Sequence, residues 1–369
     1  MKSIHGIIFS YQRENSLKEL GESRASASVP FGGRYRAVDF PLSAMVNAGA
    51  MDVGVVLQGK YQSILDHLGT GKDWDLSRKR GGMKVLPMFD YQSKLAQGDF
   101  RGRLDALVCV RSYLASIRQS YVVLMDGDLV ANLPLRDIVD SHIASGADIT
   151  CVCGNDSFYT ENGTYFDIDD NGKVKDVAYN LHRPRGYRGL ETYVISTKLL
   201  LQLVDDAASH DQVLWRKMLS DKSNELNIRS YLWSGFAAQV RTVQEYYNCS
   251  MQILQADIRS DLFNKSRPIR AKGADMASAY IAPSAECAST LIPDGCFIEG
   301  IVENSVLFPG VIVEEGASVS NCILFKGCVV RKGAKLSYLI ADKYVDVSEG
   351  CNLRGNANYP IVISKGSKV

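Results

Sequence analysis

The 369-residue sequence carries no excess of charge of either sign, with 42 Lys and Arg against 41 Asp and Glu. No global field therefore favours nucleic acid or an anionic membrane, and any phosphate site must be local. Long apolar runs are missing too. The stretch from Met1 to Ile8 is too short for a signal peptide, and nothing approaches the ~20 apolar residues of a membrane span. A cytoplasmic protein is expected. The nine cysteines form no paired CxxC framework, and Cys151 and Cys153, flanking Val152 in an expected strand, read as buried thiols rather than metal ligands.

What is present is the balance of a soluble globular protein, 46% hydrophobic and 22% charged, at a length that favours more than one compact unit. Two are expected, over residues 1–262 and 263–369. From Ile4 to about Asp261, short apolar runs alternate with helical patterns, the signature of an α/β domain with a doubly wound, mostly parallel sheet. Strands are expected at Gly6 to Phe9, Val53 to Leu57, Tyr121 to Met125 and Ile149 to Cys153. Helices are expected at Arg103 to Ser116 and Leu135 to Ala144.

Beyond Ser266 and Pro268 a six-residue rhythm takes over, in which an aliphatic residue is followed four places later by a small one. The pairs are Ile292 with Cys296, Ile298 with Val302, Val313 with Ala317, Leu324 with Cys328, Val330 with Ala334, Val347 with Cys351, Leu353 with Ala357 and Ile363 with Ser367. Gly295, Gly316, Gly327, Gly333, Gly350 and Gly366 punctuate it where tight corners need residues without a Cβ. Ordinary hairpins would not give so many pairs in one register. A β-helix of stacked hexapeptide coils is expected, because one coil cannot bury its own apolar face.

The string Val29-Pro30-Phe31-Gly32-Gly33-Arg34-Tyr35-Arg36-Ala37-Val38-Asp39-Phe40-Pro41-Leu42-Ser43, followed by Asn47 and Gly49, together with Trp74-Asp75-Leu76, Gly127-Asp128 and Val302-Glu303-Asn304-Ser305-Val306-Leu307, resembles the bacterial ADP-glucose pyrophosphorylases over nearly the whole chain. The resemblance implies a nucleotidyltransferase domain, Rossmann-like, followed by a left-handed parallel β-helix. It also implies a nucleotide-binding segment at Arg101-Gly102 and Asp105-Ala106. A fold hosts many activities, so the site has to be argued on its own residues.

A nucleotidyltransferase holds a triphosphate with backbone N–H groups of a glycine-rich loop after the first strand. The family has a Gly-Gly-x-Gly-Thr-Arg-Leu type loop; here the sequence reads Phe9-Ser10-Tyr11-Gln12-Arg13-Glu14-Asn15-Ser16-Leu17, with no glycine. Arg13 reads either as a residual phosphate ligand or as a solvated loop arginine. The family lysine of Arg-Ala-Lys-Pro is Ser26 in Arg24-Ala25-Ser26-Ala27. Magnesium needs one or two carboxylates beside the phosphate oxygens. Asp128 matches the first, in the place where open α/β sheets bind ligands. The second, in a Tyr-Trp-Arg-Asp-Val-Gly-Thr segment, falls on Phe236-Ala237-Ala238-Gln239-Val240-Arg241-Thr242, where Gln239 replaces the aspartate. Asp126 reads either as a carboxylate that compensates for that loss or, at a strand end beside a glycine, as the more usual turn former. On the sugar-phosphate side His182-Arg183-Pro184 and Gly189-Leu190-Glu191-Thr192-Tyr193 align with Glu-Lys-Pro and Ser-Met-Gly-Ile-Tyr. Arg183 can pair with a phosphate, while Glu191 places negative charge beside one.

The pattern of losses resembles the non-catalytic GlgD-type subunits of that family: a degenerate site, no cofactor required by this chain, Mg²⁺ required by a catalytic paralogue, and a heterotetramer with that paralogue making ADP-glucose from glucose 1-phosphate and ATP for glycogen. Loss of the loop, the lysine and one carboxylate together leaves little to stabilise a transition state. Arg34 and Arg36 read either as an effector site for a phosphorylated metabolite, as the resemblance implies for the first of them, or as partners of structural ion pairs. The alternatives are an active pyrophosphorylase of low turnover and a sugar-nucleotide sensor. A hexapeptide acyltransferase is the weakest reading, since such enzymes usually need a histidine near the coils and His5, His67, His142, His182 and His210 all precede them.

Overall fold

The structure is a computed structural model, and residues 3–10, 17–88, 102–154, 163–179, 186–210, 214–273 and 275–369 are described. Its first part is built on a nine-stranded sheet. The strands are β1 (Ile4–Ser10), β2 (Asp52–Leu57), β3 (Gly82–Pro87), β4 (Tyr121–Asp126), β6 (Ile149–Gly154), β7 (Thr164–Ile168), β8 (Val174–Tyr179), β9 (Tyr187–Ser196) and β10 (Ile228–Trp233), while β5 (Leu129–Ala131) pairs outside it with β11 (Ala237–Gln239). The four strands β3, β2, β1 and β4 are parallel. The long β9 then runs antiparallel to β4, β6 and β7. Apolar residues cover both faces, as a doubly wound sheet requires. One face of β1 and β4, with Ile8, Val123 and Met125, packs with Leu42, Met45, Ile138 and Val139; the other, with Ile7, Val122 and Leu124, packs with Leu104, Leu107, Leu200 and Val204.

Each expected strand is present and extends by a residue or more at one or both ends. The helix expected over Arg103 to Ser116 is two, Arg103–Cys109 and Arg111–Ala115, broken at Val110 where ψ reaches 19°. The Leu135 helix runs to Ser145 and stops at Gly146 in the left-handed region, a common helix terminator. Cys151 and Cys153 are buried thiols, and burial pushes both well above the usual thiol range.

A helix ends at Leu262, and the first coil strand of the second part is Tyr280–Ile281. From there every ladder between named strands is parallel, with successive coils mostly 17 residues apart, as in Ile312 to Val329 to Asp346 and Ser318 to Lys335 to Asn352. Ile298, Val302, Val313, Ala317, Leu324, Cys328, Val330, Ala334 and Val347 fill the interior. All six expected corner glycines have positive φ, from 68° at Gly350 to 75° at Gly295. One hexapeptide pair fails. Ala357 is exposed in the turn that Asn356 and Tyr359 close, and Leu339 pairs with Ile361 rather than with a residue 17 places on, so that coil carries five extra residues.

The two parts share an apolar core: Phe31, Phe40 and Tyr246 pack in one cluster with Val306, Phe308, Phe325 and Ile340. The best-preserved sequence string builds this junction. Its turn Gly32-Gly33 has positive φ at both residues, and a Cβ on Gly33 would lie 2.9 Å from the Leu307 carbonyl oxygen, so only glycine lets the hairpin approach the coil so closely. Tyr35 stacks on Phe263 with ring centroids 5.1 Å apart. Beneath, Arg24 donates two 2.9 Å bonds to the two carboxylate oxygens of Asp342, and both side chains are 2% exposed.

A buried guanidinium cluster at the candidate active site

The C-terminal ends of β1 and β4 meet where an open α/β sheet places its ligands. Gly127 donates to the Phe9 carbonyl at 2.8 Å, which seats the Asp126-Gly127-Asp128 turn on the end of β1. Asp126 and Asp128 are 2% and 4% exposed. Asp126 was expected as a turn former; besides leading into the turn, its carboxylate accepts a 2.6 Å bond from Arg103, and Arg241 lies 3.6 Å from its other oxygen. Asp126 thus opens the turn and carries an ion pair as well, which the sequence did not show because the two guanidiniums come from remote segments.

Arg103 also donates to Glu191, at 3.2 Å, and its guanidinium lies over the rings of Phe9 and Tyr193, at 5.1 and 4.7 Å from their centroids. Arg241 is 3.9 Å from Asp128 and 4.0 Å from Glu191. Glu191 further accepts from Thr164 at 2.7 Å and from the Tyr193 hydroxyl at 3.3 Å. Burial, then the Glu191 charge, pushes the Tyr193 phenol well above its ordinary value, so it stays a neutral donor. Glu191 has φ of 48° and sits in an irregular stretch of the β9–β6 pairing, a strained backbone that turns its carboxylate to the arginines. Nearby Gly189 has a packing reason, since a Cβ there would come within 2.6 Å of the Phe166 ring.

The other expected residues are distributed unevenly. Gln239 ends β11, 3% exposed, with no hydrogen-bond partner for Nε2 among the described residues; it borders a cavity of about 860 Å³ with Arg188, Trp233, Phe236 and Asp261. Ser26 is half-buried and opens a 3-10 turn, with its neighbour Ala27 against Gly127. Gly102 precedes the Arg103 helix, and Asp105 is half-buried in its first turn. Arg13 and Arg183 lie outside the described residues. Sequence reasoning missed Arg103 and Arg241. The available signal was Arg241 at the glycine of the Asp-Val-Gly-Thr segment.

Arg34 and Arg36 are not equivalent. Arg34 is exposed, whereas Arg36 is half-buried and donates to the Ser63 carbonyl and hydroxyl, at 2.5 and 3.0 Å. Its backbone N–H donates to Asp39, whose other oxygen is 2.6 Å from His67. On the β-helix side, burial and then the charges of Arg36 and Arg24 bring the Lys343 ammonium down to about 8. Arg24, Arg36 and Lys343 thus form a cationic cluster between the two parts, with Asp342 as the anion of Arg24 and Lys343 and with Asp39 and Asp66 facing Arg36. The described residues include no group of three or more His, Cys, Asp or Glu able to hold a metal ion and no helix long and apolar enough to cross a membrane.

Residues 15–179 match the nucleotidyl transferase family, and residues 274–358 match the GlmU-like C-terminal hexapeptide family. The chain is 34% identical to glycogen biosynthesis protein GlgD of Geobacillus stearothermophilus over 98% of this chain and 96% of that one, and 32% identical to GlgD of Bacillus subtilis strain 168 over 98% and 95%. It is 31% identical to a glucose-1-phosphate adenylyltransferase of Geobacillus stearothermophilus, over 82% and 79%. With the nucleotidyl transferase domain, the β-helix and relatives matched nearly end to end, the chain belongs to the GlgD branch of the bacterial glucose-1-phosphate adenylyltransferase (ADP-glucose pyrophosphorylase) family.

Proposed function

We propose that this chain is a non-catalytic or weakly catalytic regulatory subunit of glucose-1-phosphate adenylyltransferase, acting in glycogen biosynthesis as the partner of a catalytic paralogue in a heterotetramer. The observation that carries the reading is the pairing of Asp126, Asp128 and Glu191 with the guanidiniums of Arg103 and Arg241. Magnesium takes oxygen ligands at ~2.0–2.1 Å in near-octahedral geometry. Here carboxylate oxygens face N–H donors instead, and the position expected to add a carboxylate carries Gln239. The residues do not fit a divalent cation. Protein cations hold the charge that an active relative would give to the metal, and Mg²⁺ is the requirement of the catalytic partner.

The test is isothermal titration of the purified chain with Mn²⁺ and with Mg²⁺. The wild type is expected to bind neither below millimolar concentration, and Arg241→Gly, which takes away the guanidinium beside Asp128 and frees one side of Asp126 and Glu191 while Arg103 still holds the other, is expected to gain a Mn²⁺ site that Asp128→Asn removes. A micromolar Mg²⁺ site in the wild type, lost on Asp128→Asn, would sink the proposal in favour of an active enzyme. ADP-glucose binding without turnover would point to the sensor reading.

A regulatory contribution by this chain is supported by the Arg24, Arg36 and Lys343 cluster. Arg36 offers a planar guanidinium and Lys343 a point charge to a phosphorylated metabolite, at a place where a bound anion bears on both parts of the molecule. Arg34, exposed on the hairpin, is the outer member of this proposed site. Inorganic phosphate, then sugar phosphates, should slow acylation of Lys343, and Arg36→Ala should abolish that protection.

A further inference from the structure

None of the five side chains paired in the guanidinium cluster lines the cavity beside Gln239. One wall of that cavity is β11, and two more are the helices Val243–Gln252 and Ala256–Leu262. The family's Tyr-Trp-Arg-Asp-Val-Gly-Thr segment puts a tryptophan at Ala237 and an arginine at Ala238, and both alanines line the space. Two methyl groups thus stand where a relative of that pattern carries large side chains. At about 860 Å³ the cavity is far larger than the voids that packing leaves in a protein interior, and it falls within the range of small-molecule sites.

Its polar groups are held in place. Gln239 is 3% exposed, its amide Nε2 has no hydrogen-bond partner among the described residues, and a desolvated donor of this kind is costly until an acceptor reaches it. The cavity that Gln239 lines is the route by which one can come. Phe236 donates its backbone N–H to Asp261 at 2.6 Å. A Cβ on Gly235 would come within 2.6 Å of the same carboxylate and closer still to the Trp233 ring, so glycine is what lets the two stand together at this wall. Arg188 directs a guanidinium N–H to the Ala237 carbonyl at 3.0 Å and so is held on β11.

The lining selects the ligand. Among the described residues that form it, the carboxylates of Glu245, Asp257 and Asp261 outnumber the guanidinium of Arg188 by two, which disfavours a phosphate. The Gln239 donor calls for an acceptor oxygen, the carboxylates call for donors, and the rings of Trp233 and Phe236 call for an apolar face. A neutral sugar meets all three, since each hydroxyl both donates and accepts while the ring carbons present C–H groups. We propose that this cavity is a binding site for a neutral sugar of one to three rings, and that it excludes sugar phosphates and sugar nucleotides. The site is independent of catalysis: a chain that made ADP-glucose could still bind the sugar here, and binding needs neither Mg²⁺ nor ATP.

The experiment is saturation-transfer NMR of the full chain, without Mg²⁺ or ATP. Glucose, galactose, ribose, maltose and maltotriose are the neutral probes, and glucose 1-phosphate and ADP-glucose the charged ones. At least one neutral probe binds with a Kd of roughly 1–10 mM, and the charged ones bind at least about tenfold more weakly. Of the three tryptophans, Trp74 and Trp215 are buried and Trp233 is half-buried, so the bound sugar also shifts a fluorescence signal that Trp233→Phe removes. Gln239→Leu keeps the shape and takes away the donor, Ala237→Trp refills the space from β11, and Ile258→Trp fills it from the Ala256–Leu262 helix. Each weakens binding at least about tenfold while Tm stays within about 2 °C; if a β11 variant does not fold, Ile258→Trp still decides. No neutral probe bound at ~50 mM, a charged probe bound as tightly as the neutral ones and displaced by them, or folded variants with the wild-type affinity would each overturn the inference.

Discussion

Replacing Arg24 by methionine, or Asp342 by asparagine, breaks the buried ion pair that joins the α/β domain to the β-helix. Removing one partner of such a pair leaves a desolvated charge and costs about 3–5 kcal/mol. The two changes are not equal. After Arg24→Met, Asp342 still accepts a 2.6 Å bond from the Lys343 N–H and faces the Lys343 charge, so the loss falls near the lower figure. After Asp342→Asn, Arg24 and Lys343 lose the carboxylate they share, while Arg36 keeps Asp39, and the loss falls near the upper one. With ~2.1 cal/mol/K of unfolding entropy per residue, 369 residues give roughly 0.8 kcal/mol/K, hence drops in Tm of about 4 °C and about 6 °C. Arg24→Met/Asp342→Leu should recover most of this, since an apolar replacement of both partners is often neutral. Differential scanning calorimetry of the three variants checks the order. Single variants within about 1 °C of the wild type, or Arg24→Met worse than Asp342→Asn, would refute the reasoning about how the cluster is balanced.

Gly33→Ala forces a Cβ against the Leu307 carbonyl in a backbone with φ of 73°, and is expected to cost about 2 kcal/mol in a urea titration; a neutral result would mean the hairpin does not seat on the coil as described. His5 is buried and its pKa falls to about 4, chiefly through desolvation. The unfolded chain therefore holds the extra proton between pH ~6.5 and 4, and stability from this group, full above that window, is lost as pH falls through it. His5→Gln should flatten the pH dependence of the denaturant midpoint there, and an unchanged slope would contradict the assignment. Lys343, at about 8, should acylate ahead of ordinary lysines near pH 8, as read by peptide mass spectrometry after brief labelling; equal labelling of all lysines would show that its cationic surroundings are not as described.

The β-helix was legible because its signal is periodic: eight pairs in one register survive a single failure, and Ala357 failed only because five extra residues loop out between Leu353 and Ile361. The doubly wound sheet was legible from its central strands, whose apolar runs are long, but the antiparallel β9 was not, since direction is decided by partners remote in sequence. At the candidate site Asp128, Gln239 and Glu191 were located by resemblance, and the prediction that the site is altered rested on what is missing. What replaces the missing groups was invisible. Arg103 and Arg241 lie on a helix and after a strand far apart in the chain, and only folding brings both beside Asp126. The same limit hid Arg24 and Lys343, whose meeting with Arg36 depends on how the β-helix docks.

The most direct test of the central claim is ADP-glucose synthesis from glucose 1-phosphate and ATP at saturating Mg²⁺, measured for this chain alone, for a catalytic paralogue alone, and for the two mixed. The account predicts no turnover above background by this chain, and a mixture whose rate or effector response differs from that of the paralogue. Substantial turnover by this chain alone, abolished by Asp128→Asn, would contradict it.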